Sequence, residues 1–216
     1  MATKQTKKPL DTKIKEAFID SVLEHGQEPA SIYKFTKDLK VKEADFYDHF
    51  NSFKALQKHI WSDFLKKTID DLHAEEAFAE YSSREKLLAL YFTLIEVLKE
   101  KRSYVMMDLQ KMRKGDLNPV FLEDFKKRFY EFVDEIVVQG KDTDEIVDRP
   151  VIGNHYSDGL WIQTLFILQF WVNDDSKGFE KTDAAIEKAV NLAYDLMGKS
   201  PLDSMVDFGK FIFQNR

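Results

Sequence analysis

Apolar residues recur at three- and four-residue spacing along almost the whole chain, and no stretch alternates long enough to read as a convincing strand. That periodicity restricts the 216 residues to an all-α fold. Ile14, Phe18, Ser21, Val22 and His25 share one helical face and Gly26 is placed to stop it, which predicts a helix over Thr12–His25. Pro29 opens a turn, and Ser31 is placed to cap a short helix through Leu39. After the tight connection Lys40-Val41, a third helix runs from Lys42 to Phe50 with Phe46, Tyr47 and Phe50 as apolar contacts. Asn51-Ser52 interrupts it, and Ser52 can cap a long fourth helix from Phe53 to about Glu76, with Leu56, Ile60, Phe64 and Ile69 spaced for burial.

Longer helices follow. Ser83 opens one that runs to about Arg102, with Leu87, Leu90, Tyr91, Leu94, Ile95 and Leu98 as its stripe. Others are predicted at Val105–Lys114, at Val120–Val138 behind the turn Gly115–Pro119, and over an apolar stretch ending near Val172. After a loop from Gly140 to about Asn154 and that apolar helix come Thr182–Met197 and a last amphipathic segment, Met205–Phe213. Three short helices, sized like a helix-turn-helix unit, thus precede five or six longer ones sized like a bundle, and the fourth helix joins the two parts. The expected organisation is a flexible basic tail over residues 1–11, a helix-turn-helix domain over 12–52 and a C-terminal helical bundle over 53–216.

Composition narrows the function classes. The chain has no cysteine, which removes disulfides, thiol catalysis and cysteine-ligated metal sites and suits the cytoplasm. Its most apolar run, Gly159–Val172, is shorter than the ~20 residues a membrane span needs, so no membrane partner is expected. The net charge of −6 argues against indiscriminate binding of nucleic acid. The first sixty residues nevertheless carry a small positive excess, and Lys4, Lys7, Lys8, Lys13 and Lys15 form the one basic cluster, either a solvated tail or an arm for phosphates. No Gly-rich phosphate loop, His-Glu-x-x-His or Gly-x-Ser-x-Gly occurs, and the five histidines are scattered. No enzyme activity, metal or cofactor is expected.

The local pattern of the first sixty residues is more specific. Gly26 is placed to end the first helix, Ser31 to cap the second, and Phe35-Thr36 falls within that second helix. Lys40-Val41-Lys42 makes the turn, Tyr47-Asp48-His49-Phe50 ends the third helix, and Ser52-Phe53-Lys54-Ala55-Leu56 opens the fourth. Over roughly Thr12–Ile60 this resembles the tetracycline-repressor-like (TetR) regulators, whose third helix ends in Tyr-x-His-Phe. The resemblance implies a homodimer that binds DNA through the helix-turn-helix and a small apolar ligand through the C-terminal bundle. In that family the third helix enters the major groove, with its first residues at base edges and its Tyr and His near phosphates. Carried onto this chain, that assigns DNA binding to Ser31, Lys42, Glu43, Ala44, Tyr47, His49 and Lys54. Tyr91, Met107, Phe125 and Trp161 are the candidates for the wall of a ligand cavity, each of which core packing alone would also explain.

The chain departs from the family pattern in ways that bear on DNA. The third helix opens Lys42-Glu43-Ala44-Asp45 and also carries Asp48. An acid can accept from cytosine N4, but each carboxylate near a phosphate opposes binding. The family lysine at the start of the fourth helix is Phe53 here, and Lys40 replaces the turn glycine. The stretch Asp174-Asp175-Ser176-Lys177-Gly178-Phe179 with Thr182 also resembles the ubiquinone-biosynthesis lipid-binding proteins, which have a TetR-like fold, although an acidic loop with Thr182 as an N-cap explains it equally. Two readings therefore stand: a ligand-responsive DNA-binding regulator, a repressor in the family's manner; or a TetR-fold protein that binds a lipid or other apolar ligand without functional DNA binding.

Overall fold

The computed structural model describes residues 9–199 except 114, 150 and 151, together with residues 208, 211, 212 and 214. Lys4, Lys7 and Lys8 of the expected basic arm, and most of the expected segment Met205–Phe213, lie outside the described residues. Among the described residues the fold is all-α: α1 Leu10–His25, α2 Ile32–Leu39, α3 Glu43–Tyr47, α4 Phe53–Ala74, α5 Ser83–Lys99, α6 Arg102–Gln110, α7 Glu123–Asp142, α8 Tyr156–Val172 and α9 Glu180–Met197. No helix of the described residues is long and apolar enough to cross a membrane. Packing groups the chain into two units: residues through Phe64 with Lys101–Phe125, and Leu65–Glu100 with the residues from Lys126 on.

In the first unit, α1, α2 and α3 form the helix-turn-helix arrangement at the N-terminal end. Ile14, Phe18, Ile19 and Val22 of α1 are buried with Phe35, Phe46, Phe50, Leu56, Ile60 and Tyr104. The buried face of α1 is turned slightly from the one expected. Ile19 belongs to it, Ser21 is half-buried and His25 is exposed, its Nδ1 lying 2.8 Å from the Ser21 carbonyl. Gly26 ends α1 in the left-handed region (φ 70°), and its N–H donates to the Val22 carbonyl. Ser31 caps α2 by accepting from the Lys34 N–H at 3.1 Å.

The turn between α2 and α3 is built without its glycine. Lys40 is left-handed (φ 58°), its N–H donates to the Lys37 carbonyl, and the Val41 N–H reaches back to Thr36 at 3.0 Å. This pair of bonds is a Schellman motif, which satisfies two end carbonyls of α2. A side chain in that conformation costs about 1 kcal/mol that glycine would not incur. Phe53, in the place of the family lysine, is half-buried. Its ring stacks on Phe18 at 5.4 Å and meets Phe35 and Phe46 edge-on at 5.5 and 5.7 Å.

The second unit is a bundle in which α9 packs against both α5 and α8. Ser82 caps α5 through a reciprocal box with Glu85: the Ser82 N–H donates to the Glu85 carboxylate, and Ser82 Oγ accepts from the Glu85 N–H. Glu145 adds a carboxylate to the same helix start, accepting from the Ser83 N–H at 3.1 Å. α7 runs on to Asp142 rather than ending at Val138, so Gly140 lies in the helix and not in a loop. A side chain there would meet Ile146 at 2.6 Å and Ser83 Oγ at 2.7 Å, which is how closely this part of α7 approaches its neighbours. Arg149 closes the other end of the bundle. Its guanidinium donates to the carbonyls of Leu196, Met197 and Gly198 at 2.8–3.1 Å, capping the C-terminus of α9, and to the Tyr156 hydroxyl.

Candidate functional site

The α3 face expected to meet DNA is assembled from beneath. Phe46 and Phe50, one helical turn apart, are buried and anchor the segment to the core. That leaves Lys42, Glu43, Ala44, Tyr47, His49 and Lys54 exposed within the same small unit. Tyr47 leans edge-on against Phe46 at 5.7 Å with 48% of its surface accessible, so its ring is propped outward. Ser31 is also exposed, but its oxygen is engaged in capping α2.

The acids on α3 do different things. The Asp45 carboxylate accepts from the Lys42 N–H at 3.0 Å, and the Asp45 N–H donates to the Lys42 carbonyl. Asp45 therefore caps its own helix and satisfies one of the free N–H groups at its start. Glu43 and Asp48 stay on the surface. Tyr33 was not among the sequence candidates, yet it is exposed to 62% at the start of α2. Its signal was present: it falls off the apolar stripe Ile32, Phe35, Thr36, Leu39.

Behind this face the same unit holds a buried carboxylate. Asp108 of α6 is 1% exposed and accepts from Gln57 Nε2 at 2.8 Å and from Trp61 Nε1 at 2.9 Å, both on α4. Lys111 lies 3.8 Å away and is largely exposed. Burial pushes the Asp108 carboxyl above the usual carboxylate range, and the two hydrogen bonds and Lys111 counteract part of that. The sequence reading singled out neither Asp108 nor its partners.

The four ligand-wall candidates divide between the two units. Met107 packs half-buried against the core of the first unit, and Phe125, fully buried, meets the Trp61 ring at 6.2 Å in that unit. Tyr91 and Trp161 belong to the second unit. The Tyr91 hydroxyl, raised by burial, lies 3.2 Å from Thr164 Oγ1, and Trp161 packs on Phe129. The space that the second unit does offer is an open groove of about 1050 Å³ along α8 and α9, which none of the four lines. Ile162 and Phe166 of α8 and Leu192 and Leu196 of α9 stand half-exposed along it, with Ala185 and Ala189 between them.

The Asp174–Thr182 stretch is accounted for by capping. Asp174 is buried and accepts from the N–H and hydroxyl of both Ser176 and Thr182 at 2.6–2.9 Å. Burial alone would raise its carboxyl, but these four bonds hold it well below the usual range. Thr182 is not the N-cap expected from its position. It lies inside α9, which begins at Glu180, and Asp174 serves the helix start from outside. Among the described residues no group of three or more histidines and acids is placed to hold a metal ion.

Residues 86–212 match the family described as the tetracyclin repressor-like C-terminal domain. The chain belongs to the TetR family. Solved structures carry the same fold at low identity. One is a proposed TetR-family transcriptional regulator from Syntrophomonas wolfei, with a TM-score of 0.65 and 20% identity over 87% of this chain and 94% of that one. Another is the fatty acid degradation regulator of Bacillus halodurans, with a TM-score of 0.60 and 18% identity over 88% and 97%. A third is a proposed regulator from Shewanella sp. PV-4, with a TM-score of 0.59 and 13% identity over 89% and 100%. No curated protein matches the chain.

Proposed function

We propose that this TetR-family chain is a ligand-responsive transcriptional regulator, a repressor, that acts in the cytoplasm and binds DNA as a homodimer. The observation that carries the reading is the α3 face. Lys42, Tyr47, His49 and Lys54 stand exposed on it, while the Asp45 carboxylate is drawn back into a helix cap. Two departures that seemed to argue against DNA are thereby reinterpreted. Asp45 serves the fold of the helix, and Phe53 is a core residue rather than an absent phosphate contact. Lys42, Tyr47, His49 and Lys54 take phosphates in this reading, and Glu43 and Ala44 face base edges, with Ser31 holding the start of α2.

The groove on α8 and α9 supports the homodimer. Its half-exposed leucine, isoleucine and phenylalanine side chains form a continuous apolar face, and the alanines of α9 allow close helix approach. Two copies joined there present two α3 helices to half-sites about one turn of DNA apart. The ligand is a small apolar molecule; its class is suggested by the similar fold of a fatty acid degradation regulator. The deciding experiment is selection of genomic fragments by the purified protein, followed by a salt titration. Enrichment of one near-palindromic sequence with a steep salt dependence is expected. If no sequence is enriched even at low salt, the DNA-binding reading fails.

A further inference from the structure

The α8–α9 groove has a charge pattern at odds with the rest of the chain. The protein carries 38 acids against 32 lysines and arginines. Among the described residues, however, no carboxylate lines the groove, while Arg149, Lys181 and Lys188 do. Asp183, Glu187 and Asp195 of α9 stand exposed outside it. Two of the three cations are engaged elsewhere. The Arg149 guanidinium caps the end of α9, and Lys181 pairs with Asp175 at 3.0 Å. Lys188 is exposed and has no ion pair or hydrogen bond among the described residues.

A second polar group stands across from Lys188. α8 and α9 are consecutive, pack along each other and run antiparallel through the short link 173–179. Phe170 and Lys181 share the recess at the hairpin end. Gln163 and Lys188 each lie seven residues, about two turns, from that end, so they stand at one level of the groove. The Gln163 side chain lies beside the Tyr91 hydroxyl, and its buried Nε2 completes no hydrogen bond. That nitrogen carries two donors, so one is left over even where the other turns to Tyr91. From this level to Met197, about 13 Å along α9, the exposed walls are mostly apolar: Leu192, Leu196 and Ile152 are 59%, 52% and 58% exposed.

We propose that the groove binds a long-chain carboxylate, its head held by the Lys188 ammonium and the Gln163 amide and its tail lying along Leu192, Leu196 and Ile152. One ammonium and one neutral donor suit a monoanion with two oxygens. A phosphate head is better met by a guanidinium fork, and that of Arg149 is occupied. The volume of about 1050 Å³ is that of a small-molecule site. The inference rests on the ligand-responsive homodimer read above, and it names the ligand's chemistry and its place. In a two-fold seam over this groove both copies bring the same cations and no carboxylate. Burying such a charge unpaired is costly. The bound carboxylate supplies the missing partner, so it has different affinities for joined and separate chains and shifts the balance between them.

The test is a calorimetric titration of the full-length protein with decanoate, below its micelle concentration, and with decan-1-ol, which has the same tail and no charge. Decanoate is expected to bind, and decan-1-ol to bind at least about ten-fold more weakly. Lys188→Met keeps the length of the side chain. It is expected to weaken decanoate at least about ten-fold and to leave decan-1-ol unchanged, which also shows that the variant is folded. Lys66→Met, outside the groove, should change neither. No decanoate binding overturns the proposal, as does equal affinity for acid and alcohol, or decanoate affinity unchanged by Lys188→Met. Sedimentation and DNA selection on the same preparations separate the site from the regulator. A dimer that enriches a DNA sequence but takes no decanoate leaves the regulator standing and overturns the site, the groove then being filled by the second copy alone. Decanoate binding that depends on Lys188, with no DNA enriched, upholds the site and overturns the regulator.

Discussion

Removing Asp108 tests whether a buried carboxylate ties α6 to α4. In the Asp108→Ala variant the Trp61 N–H, on a residue with no exposed surface, loses its acceptor, and an unsatisfied buried donor costs about 1–3 kcal/mol. Gln57 is half-buried and can turn its amide to water, so its loss adds less. Relief from burying a charge offsets part of the total, leaving a net loss of about 1–3 kcal/mol. Asp108→Asn behaves differently. Its oxygen still accepts from Trp61, and its amide can donate to Gln57 once that side chain rotates by half a turn, so the change at neutral pH stays within about 1 kcal/mol.

The pH dependence separates the charge from the hydrogen bonds. The folded carboxyl is raised above its unfolded value, so its contribution to stability is full below pH ~4 and is lost as pH rises through the folded value. The asparagine variant lacks that loss. Its stability relative to the natural chain should therefore improve between pH ~4 and neutrality. Urea unfolding followed by tryptophan fluorescence, at fixed protein concentration and several pH values, measures both effects. Alanine and asparagine variants that fall equally at every pH would refute the reasoning, as would an alanine variant as stable as the natural chain.

Three further outcomes follow from the geometry. Lys40→Gly should stabilise the chain by about 0.5–1 kcal/mol in thermal unfolding, because the left-handed φ of 58° then carries no Cβ penalty; unchanged stability would argue against strain in that turn. Phe53→Lys, which restores the family residue, should cost about 2–4 kcal/mol by opening the Phe18–Phe35–Phe46 cluster, and the chain should melt earlier rather than bind DNA more tightly. Asp174→Asn should lower the melting temperature at neutral pH. The carboxyl is depressed in the folded chain, so its contribution is present above pH ~4 and lost as pH falls through the folded value, and the gap between variant and natural chain should close in acid.

Much of the fold was legible because it is local. Helical periodicity, Ser31 as a cap and Gly26 as a stop are all read within a few residues of themselves, and each holds in the structure, whereas the third helix is shorter than the expected Lys42–Phe50 and ends at Tyr47, leaving His49 and Phe50 beyond it. What was not legible depends on contacts across the chain. Gln57 and Trp61 meet Asp108 some fifty residues away, and no spacing rule announces a buried acid with two neutral donors. The lining of the α8–α9 groove was not legible for the same reason. Tyr91, Met107, Phe125 and Trp161 are apolar residues on helical faces, and periodicity says that such a face is buried without saying against what.

The two departures on the recognition segment show how a family comparison of single positions can mislead. Phe53 and Asp45 each look like a change at a DNA-facing position when set against the family residue alone. Their side chains answer to different neighbours. A phenylalanine at the start of α4 completes a ring cluster that three other phenylalanines have already begun, and this chain is rich in phenylalanine throughout. An aspartate three positions after Lys42 is where a capping carboxylate belongs, so α3, only five residues long, gains a start that its lysine cannot provide. Both residues therefore build the small unit that carries the exposed face, on which Glu43 and Asp48 stand beside Lys42, His49 and Lys54.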